Sequence, residues 1–266
     1  MRFISICAML LAFVLALVCQ SYARIDTGTV VGLWLFNEGK GEVAKDSSGN
    51  GNDGKFGGGG AKWVNAKYGK GLEFDGTGWL ECGKGESLDF KDSTNFSIHS
   101  IVKAEVTTGK CVIWKGLGCS TWSQWLLGTG AHENGDNATM PEFHIRLANG
   151  AARKFARADD PLPENEWVQV AGTYDGKQLK VYVNGELAKA ADVEGNPWAS
   201  PEQVYIGADP GCGNRCQWVG VIDEIAVFNV TLNDDDIKTL SKGYENASAV
   251  SPTGKLATAW GNLKAD

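Results

Sequence analysis

Between Trp167 and Ala188 the chain reads WVQVAGTYDGKQLKVYVNGELA, three strand-like runs hinged at Asp175-Gly176 and Asn184-Gly185. Both dipeptides favour the positive backbone angles of tight hairpin turns, so consecutive antiparallel strands are expected here. Leu179, Val181 and Val183 alternate with Lys180 and Tyr182, the period of a sheet with one covered face. Similar short runs recur along the chain: VVGLWLF (30–36), GLEFD (71–75), FSIHSIVKAE (96–105), CVIWKG (111–116), QWLLG (124–128), EFHIRLA (142–148), QVYIGA (203–208) and GVIDEIAVFN (220–229). Turn residues separate them, and the pattern predicts an all-β fold. One helix is expected after Asn233, an N-cap residue, with Asp234 to Asp236 in the first turn, where carboxylates suit the helix dipole. Its Ile237, Leu240 and Tyr244 would face the sheet.

The ends differ from this pattern. Residues 1–23 carry Arg2, the apolar run Ile4 to Val18 and the small-x-small sequence Ser21-Tyr22-Ala23, the layout of a cleaved signal peptide. Export to the periplasm, cell surface or medium follows, with no membrane span left in the mature chain, since the apolar run is short for a span and no second one follows. Removing this segment takes away Arg2, its one charge, so the formal net charge of -7 becomes -7 - 1 = -8. An acidic surface calls for no nucleic-acid partner. Residues 24–245 read as one domain, since no Pro/Ser-rich linker or charge block divides them, and 246–266 as a tail with Leu256, Trp260 and Leu263 at helical spacing. The run Gly57 to Gly60 lacks the Lys-Ser/Thr of a phosphate loop and reads as a plain loop.

Five cysteines follow the signal segment: Cys82, Cys111, Cys119, Cys212 and Cys216. In an exported protein they suggest disulfides, with one left over. Cys212 and Cys216 could close a small ring, or either could cross to Cys119; Cys111 and Cys119 are further candidates, and the connectivity stays open.

One residue in the last run stands out. Strand alternation in VIDEIAVF puts Asp223 on the face of Val221, Ile225 and Val227. A buried ionised carboxylate needs a hydrogen-bonding or cationic partner.

Four segments together resemble the LamG-like (laminin G/concanavalin A-like) jelly-roll domains of bacterial secreted proteins: WLFNEGKGEVAKDSSGNGNDGKF, YGKGLEFDGTGWLECG, the Trp167–Ala188 hairpins, and IGADPGCGNRCQWVGVIDEIAVFNVTLNDDDIKTL. The resemblance spans about Val30 to Leu240. It implies a two-sheet antiparallel sandwich with first and last strands adjacent, plus one short C-terminal helix. It also implies a structural calcium where the first strand, a glycine-bearing turn and the last strand meet, held by Asp223 and Asp75 first, then Asn37 and Asp46. Calcium takes six to eight oxygens, so distant residues can share it. The competing reading has Asp223 accepting backbone hydrogen bonds, Asp75 in an ordinary turn and Asp46 in an Asx loop.

Trp114, Trp122 and Trp125 bracket the loop KGLGCSTWSQW, and His132, Glu133, Asn134, Asp136 and Asn137 follow. Aromatic rings stack on the C–H faces of sugars while amides and carboxylates meet hydroxyls, so Trp122, Trp125, Trp114, His132, Asn134 and Asp136 form a candidate carbohydrate groove. No catalytic set is expected. Glu73, Asp75 and Glu81 come nearest to paired carboxylates, but Gly76 and Gly78 interrupt them. His99, His132 and His144 show no spacing that suggests a nucleophile triad. The leading expectation is an exported, non-catalytic binding domain for carbohydrate or a glycosylated or protein surface. A polysaccharide-active enzyme and an adhesive protein-binding module are the alternatives.

Overall fold

The computed structural model describes residues 25–116, 123–130, 139–148, 153–208, 210–212 and 216–248. In chain order the first strands are β1 (Val30–Trp34), β2 (Val43–Ala44), β3 (Gly54–Gly57), β4 (Ala61–Ala66), β5 (Gly69–Asp75), β6 (Trp79–Glu81), β7 (Phe96–Val106) and β8 (Cys111–Lys115). Then follow β9 (Trp125–Thr129), β10 (Pro141–Ile145), β11 (Lys154–Arg157), β12 (Trp167–Tyr174), β13 (Gln178–Val183), β14 (Glu186–Asp192), β15 (Val204–Ile206) and β16 (Val219–Phe228). Two short helices close the described chain, α1 (Asp234–Leu240) and α2 (Tyr244–Ser248). The second lies across the boundary expected at residue 245. Among the described residues no helix is long and apolar enough to cross a membrane.

The strands form two sheets. The first runs β14-β13-β12-β7-β16-β5-β4, and the second β11-β10-β9-β8-β15-β6-β3-β2. In the first sheet β7 lines one edge of β16 along its length, while β5 and β1 share the other edge: β5 pairs with Val219 to Ile222 and β1 with Ile225 to Phe228. First and last strands are therefore neighbours.

Between the sheets lies a continuous apolar core. Trp34, Phe74, Phe96, Ile98 and Ile225 from one sheet meet Ile113, Trp125, Phe143 and Ile206 from the other. Phe96 stacks on Phe90 at 4.3 Å and meets Phe143 edge-on at 5.7 Å. The layers come this close because β12 carries Gly172, where a Cβ would stand 2.2 Å from the Phe143 ring.

Both hairpins form antiparallel pairs. Asn184 and Gly185, joining β13 to β14, take φ of 52° and 84°, the paired positive angles of a primed turn, whereas between β12 and β13 Gly176 takes a positive φ of 84° and Asp175 does not. On the outer side of the first sheet α1 is held by a capping box, with the Asn233 side chain accepting from the Asp236 amide and Asp236 answering the Asn233 amide. Its Ile237 and Leu240, with Tyr244 of α2, cover Val30, Leu33, Tyr182 and Phe228. Buried Gln169 ties this layer down: Nε2 donates to the Ile237 carbonyl at 2.9 Å while Oε1 accepts from the Gly185 amide at 2.6 Å.

Candidate functional site

Helices cover the outer face of the first sheet, so the outer face of the second is where side chains can be spent on something other than the sandwich. Phe143 and Ile145 of β10 point into the core, which sends Glu142 and His144 outward. Register then builds a row. Phe155 pairs with His144, His144 with Leu126, Leu126 with Trp114, Trp114 with Tyr205 and Tyr205 with Glu81. Six adjacent strands contribute, so the row is about 24 Å long at normal strand spacing. Its middle is buried, with Trp114, Leu126, Tyr205, Cys111 and Cys216 clustered and Trp79 packed beside them. The Phe155 end is open: this ring is 37% exposed. The guanidinium carbons of Arg157 and Arg153 lie 4.3 and 5.5 Å from its centroid.

Next to that aromatic end runs a chain of polar contacts. Ser123 Oγ lies 2.9 Å from His144 Nε2, and His144 Nδ1 lies 3.0 Å from Glu142 Oε1. Arg157 Nε donates to Glu142 Oε2 at 2.9 Å, and Arg153 Nη1 approaches Oε1 at 3.7 Å. His144 and Glu142 are fully buried and Ser123 is 6% exposed. Burial alone would raise the Glu142 pKa, but the His144 hydrogen bond and the charges of His144, Arg153 and Arg157 outweigh it and hold the carboxylate at about 2. Burial pushes His144 below the usual imidazole range, against the pull of Glu142. The ground state is therefore a carboxylate beside a neutral imidazole, with Nδ1–H donating to Glu142 and Nε2 accepting from Ser123. This linkage is a departure from the sequence expectation for His144. Glu142 and His144 do share a strand face at i and i+2, a visible hint, but Ser123 arrives from the segment entering β9.

Asp223 also sits differently from its place in the alternation. The β16 ladder shifts register between Ile222 and Ile225, and both isoleucines pack in the inter-sheet core. Asp223 and Glu224 occupy the bulge between them, so neither joins the apolar row. Asp223 Oδ2 accepts from the Tyr68 amide at 2.8 Å, in the turn between β4 and β5, and Glu224 Oε2 accepts from the Tyr244 amide at 2.6 Å. Burial lifts Asp223 to about 7 against the Tyr68 and Lys67 amides. It does the same to Glu224, where the neighbouring Asp223 charge adds to the rise. Asp223 Oδ1 is buried and has no hydrogen-bond partner among the described residues.

The other metal candidates do not gather around it. Asn37 does reach the same turn, accepting from the Lys70 amide at 3.2 Å. Asp46 Oδ1 accepts from the Leu33 and Ser48 amides and Oδ2 from the amide and side chain of Asn52, pinning the DSSGNGNDG loop to β1. Asp75 caps its own turn through Thr77 and pairs with Val219, four residues from Asp223 and about 13 Å along the strand. Among the described residues no three acidic, histidine or cysteine side chains cluster as a metal site.

Of the groove candidates, Trp114 lies on the outer face, whereas Trp125 points inward and donates from Nε1 to the Leu88 carbonyl at 3.1 Å. The run Trp125-Leu126-Leu127 is apolar throughout, so its alternation was hidden. Trp122, His132, Asn134, Asp136 and Cys119, like the signal segment, lie outside the described residues. Cys212 ends a short 3-10 turn, and Cys111 and Cys216 meet on the outer face, the Cys111 amide donating to the Cys216 carbonyl at 3.3 Å.

Two antiparallel sheets, adjacent first and last strands, and an outer sheet face lined with aromatic and charged side chains define a lectin-type jelly-roll sandwich. The chain belongs to the concanavalin A-like lectin/glucanases superfamily, whose Laminin_G_3 model matches residues 74–238. No curated protein matches the sequence. Among solved structures, domain 4 of AbnA, a GH43 extracellular arabinanase from Geobacillus stearothermophilus in complex with arabinotriose, superposes with a TM-score of 0.63 at 19% identity, covering 80% of this chain and 98% of that domain. The binding domain of Paraclostridial Mosquitocidal Protein 1 gives 0.62 at 14% identity over 83% of this chain and 53% of the other. Trypanosoma rangeli sialidase in complex with sialic acid gives 0.60 at 18% identity, with 86% of this chain spanning 35% of the enzyme. At these identities the likeness is one of fold.

Proposed function

We propose that this protein is an exported carbohydrate-recognition domain that binds glycans at the β10–β11 end of its second sheet, without cleaving glycosidic bonds. The observation that carries the reading is Phe155, an exposed aromatic ring flanked by Arg153 and Arg157. Aromatic surface meets the C–H faces of sugars and guanidinium groups meet their hydroxyls and acidic substituents. The family and the glycan-bearing neighbours support it. Most glycosidases use two carboxyl groups within about 10 Å. On this face Glu142 and Glu81 stand four strands apart, about 19 Å, among the described residues. The test is a glycan array with the intact protein and with Phe155→Ala, a change that leaves the core untouched. Binding by the parent and a loss of roughly tenfold or more in the variant are expected. Equal binding by both would remove this end from the site, and release of reducing sugar from any polysaccharide would replace the reading with an enzyme.

Calcium is the second part of the proposal. The unpartnered Asp223 Oδ1 suits a cation, and Asn37 across the 67–70 turn is the companion ligand. Asp46 takes no part, since both of its oxygens accept from Leu33, Ser48 and Asn52, and Asp75 stands about 13 Å away along β16.

A further inference from the structure

We infer that Ser123, His144 and Glu142 form a nucleophile triad that hydrolyses small O-acyl esters, with Arg146 as the donor that stabilises the oxyanion. The geometry is that of the chemistry: a hydroxyl at 2.9 Å from one imidazole nitrogen and a carboxylate at 3.0 Å from the other, a base oriented by a third group. Glu142 is itself fixed by Arg157 and remains ionised, so it orients the ring and steadies an imidazolium without taking the proton. Arg146 follows β10 directly, two residues after His144, and its amide donates to the Gln124 carbonyl beside Ser123 at 2.9 Å. Its Nε is buried and has no hydrogen-bond partner among the described residues. A buried donor with nothing to bond is costly in a resting protein and useful where negative charge develops.

Ser123 Oγ would bond to the ester carbonyl carbon as its proton passes to His144 Nε2, and the carbonyl oxygen would take up the negative charge facing Arg146. Collapse breaks the acyl–oxygen bond, and the departing alcohol leaves with the proton from Nε2. Water then adds to the acyl carbon, gives its proton to Nε2, and Ser123 recovers it as the carboxylic acid departs. No oxidant or metal enters. With Ser123 only 6% exposed, the acyl group must be slender enough to enter where a sugar ring would not. The substrate class is therefore a short-chain ester, and its glycan carrier rests on the proposed binding at Phe155.

The experiment separates the two claims by using p-nitrophenyl acetate and a fluorophosphonate serine probe, neither of which needs glycan binding. Covalent labelling at Ser123, located by peptide mass spectrometry, and acetate release that falls by about 10³-fold in Ser123→Ala are expected. Circular dichroism confirms that the variant is folded. Glu142→Gln tests positioning: it is expected to lower kcat with little change in KM, a split that mere loss of structure would not give. A folded parent that is not labelled at Ser123, or hydrolysis that survives in Ser123→Ala, overturns the triad.

Discussion

Asp223 and Glu224 carry the clearest electrostatic consequence of the fold. Both carboxyls are lifted to about 7 by burial, so between pH of about 4 and 7 the folded chain holds more protons than the unfolded one. Stability from these groups is present in acid and is lost as pH rises through 7, by roughly 1.4 kcal/mol for each unit of displacement before relaxation. The buried His99, pushed down to about 3, and His144 work in the opposite sense. The informative quantity is therefore the difference in Tm between Asp223→Asn and the parent in chelator. It is expected to grow in the variant's favour from pH 5 to pH 8, and a constant difference would mean that Asp223 is ordinary. The sequence showed a carboxylate needing a partner but gave the wrong surroundings. Strict alternation hid the bulge, and two adjacent acidic residues flanked by isoleucines were its one local trace. Ser123, Glu142 and His144 were legible only in part, because a spacing of two along one strand is visible and a contact between segments is not.

The elements that could be read from sequence were those with local chemistry. The β12–β13–β14 hairpins follow from Asp175-Gly176 and Asn184-Gly185, and α1 from Asn233 and its acidic first turn. For α1 this gives a direct check: Asn233→Ala removes the capping box and is expected to cost about 1 kcal/mol, or about 2–4 °C in Tm for a domain of this size. No change on thermal melting would mean that packing of Ile237 and Leu240 alone holds the helix. Strand β4 escaped notice because its residues are exposed or half-buried. Without a covered face there is no apolar alternation to detect. Strands β2, β3 and β6 are too short to show a period.

For the molecule as a whole, the decisive contact is the meeting of β1 and β5 on one edge of β16, next to the Asp223 bulge. A cation there would join the first strand, the β4–β5 turn and the last strand. Calcium is then expected to raise Tm in the parent by several degrees at pH 8, more than at pH 5, and to leave Asp223→Ala unmoved; melting curves with calcium and with chelator provide the check. Identical parent curves would assign Asp223 to backbone hydrogen bonding alone. The all-β class, the hairpins, the capped helix and the family resemblance were already present in the residue order, because turn chemistry, capping and the two-residue period act over a few neighbours. Which face Trp125 takes, where β16 bulges, and that Ser123 meets His144 were decided by strand register between segments far apart in the chain. Register is chosen by the packing of two sheets at once, and no local pattern contains that choice.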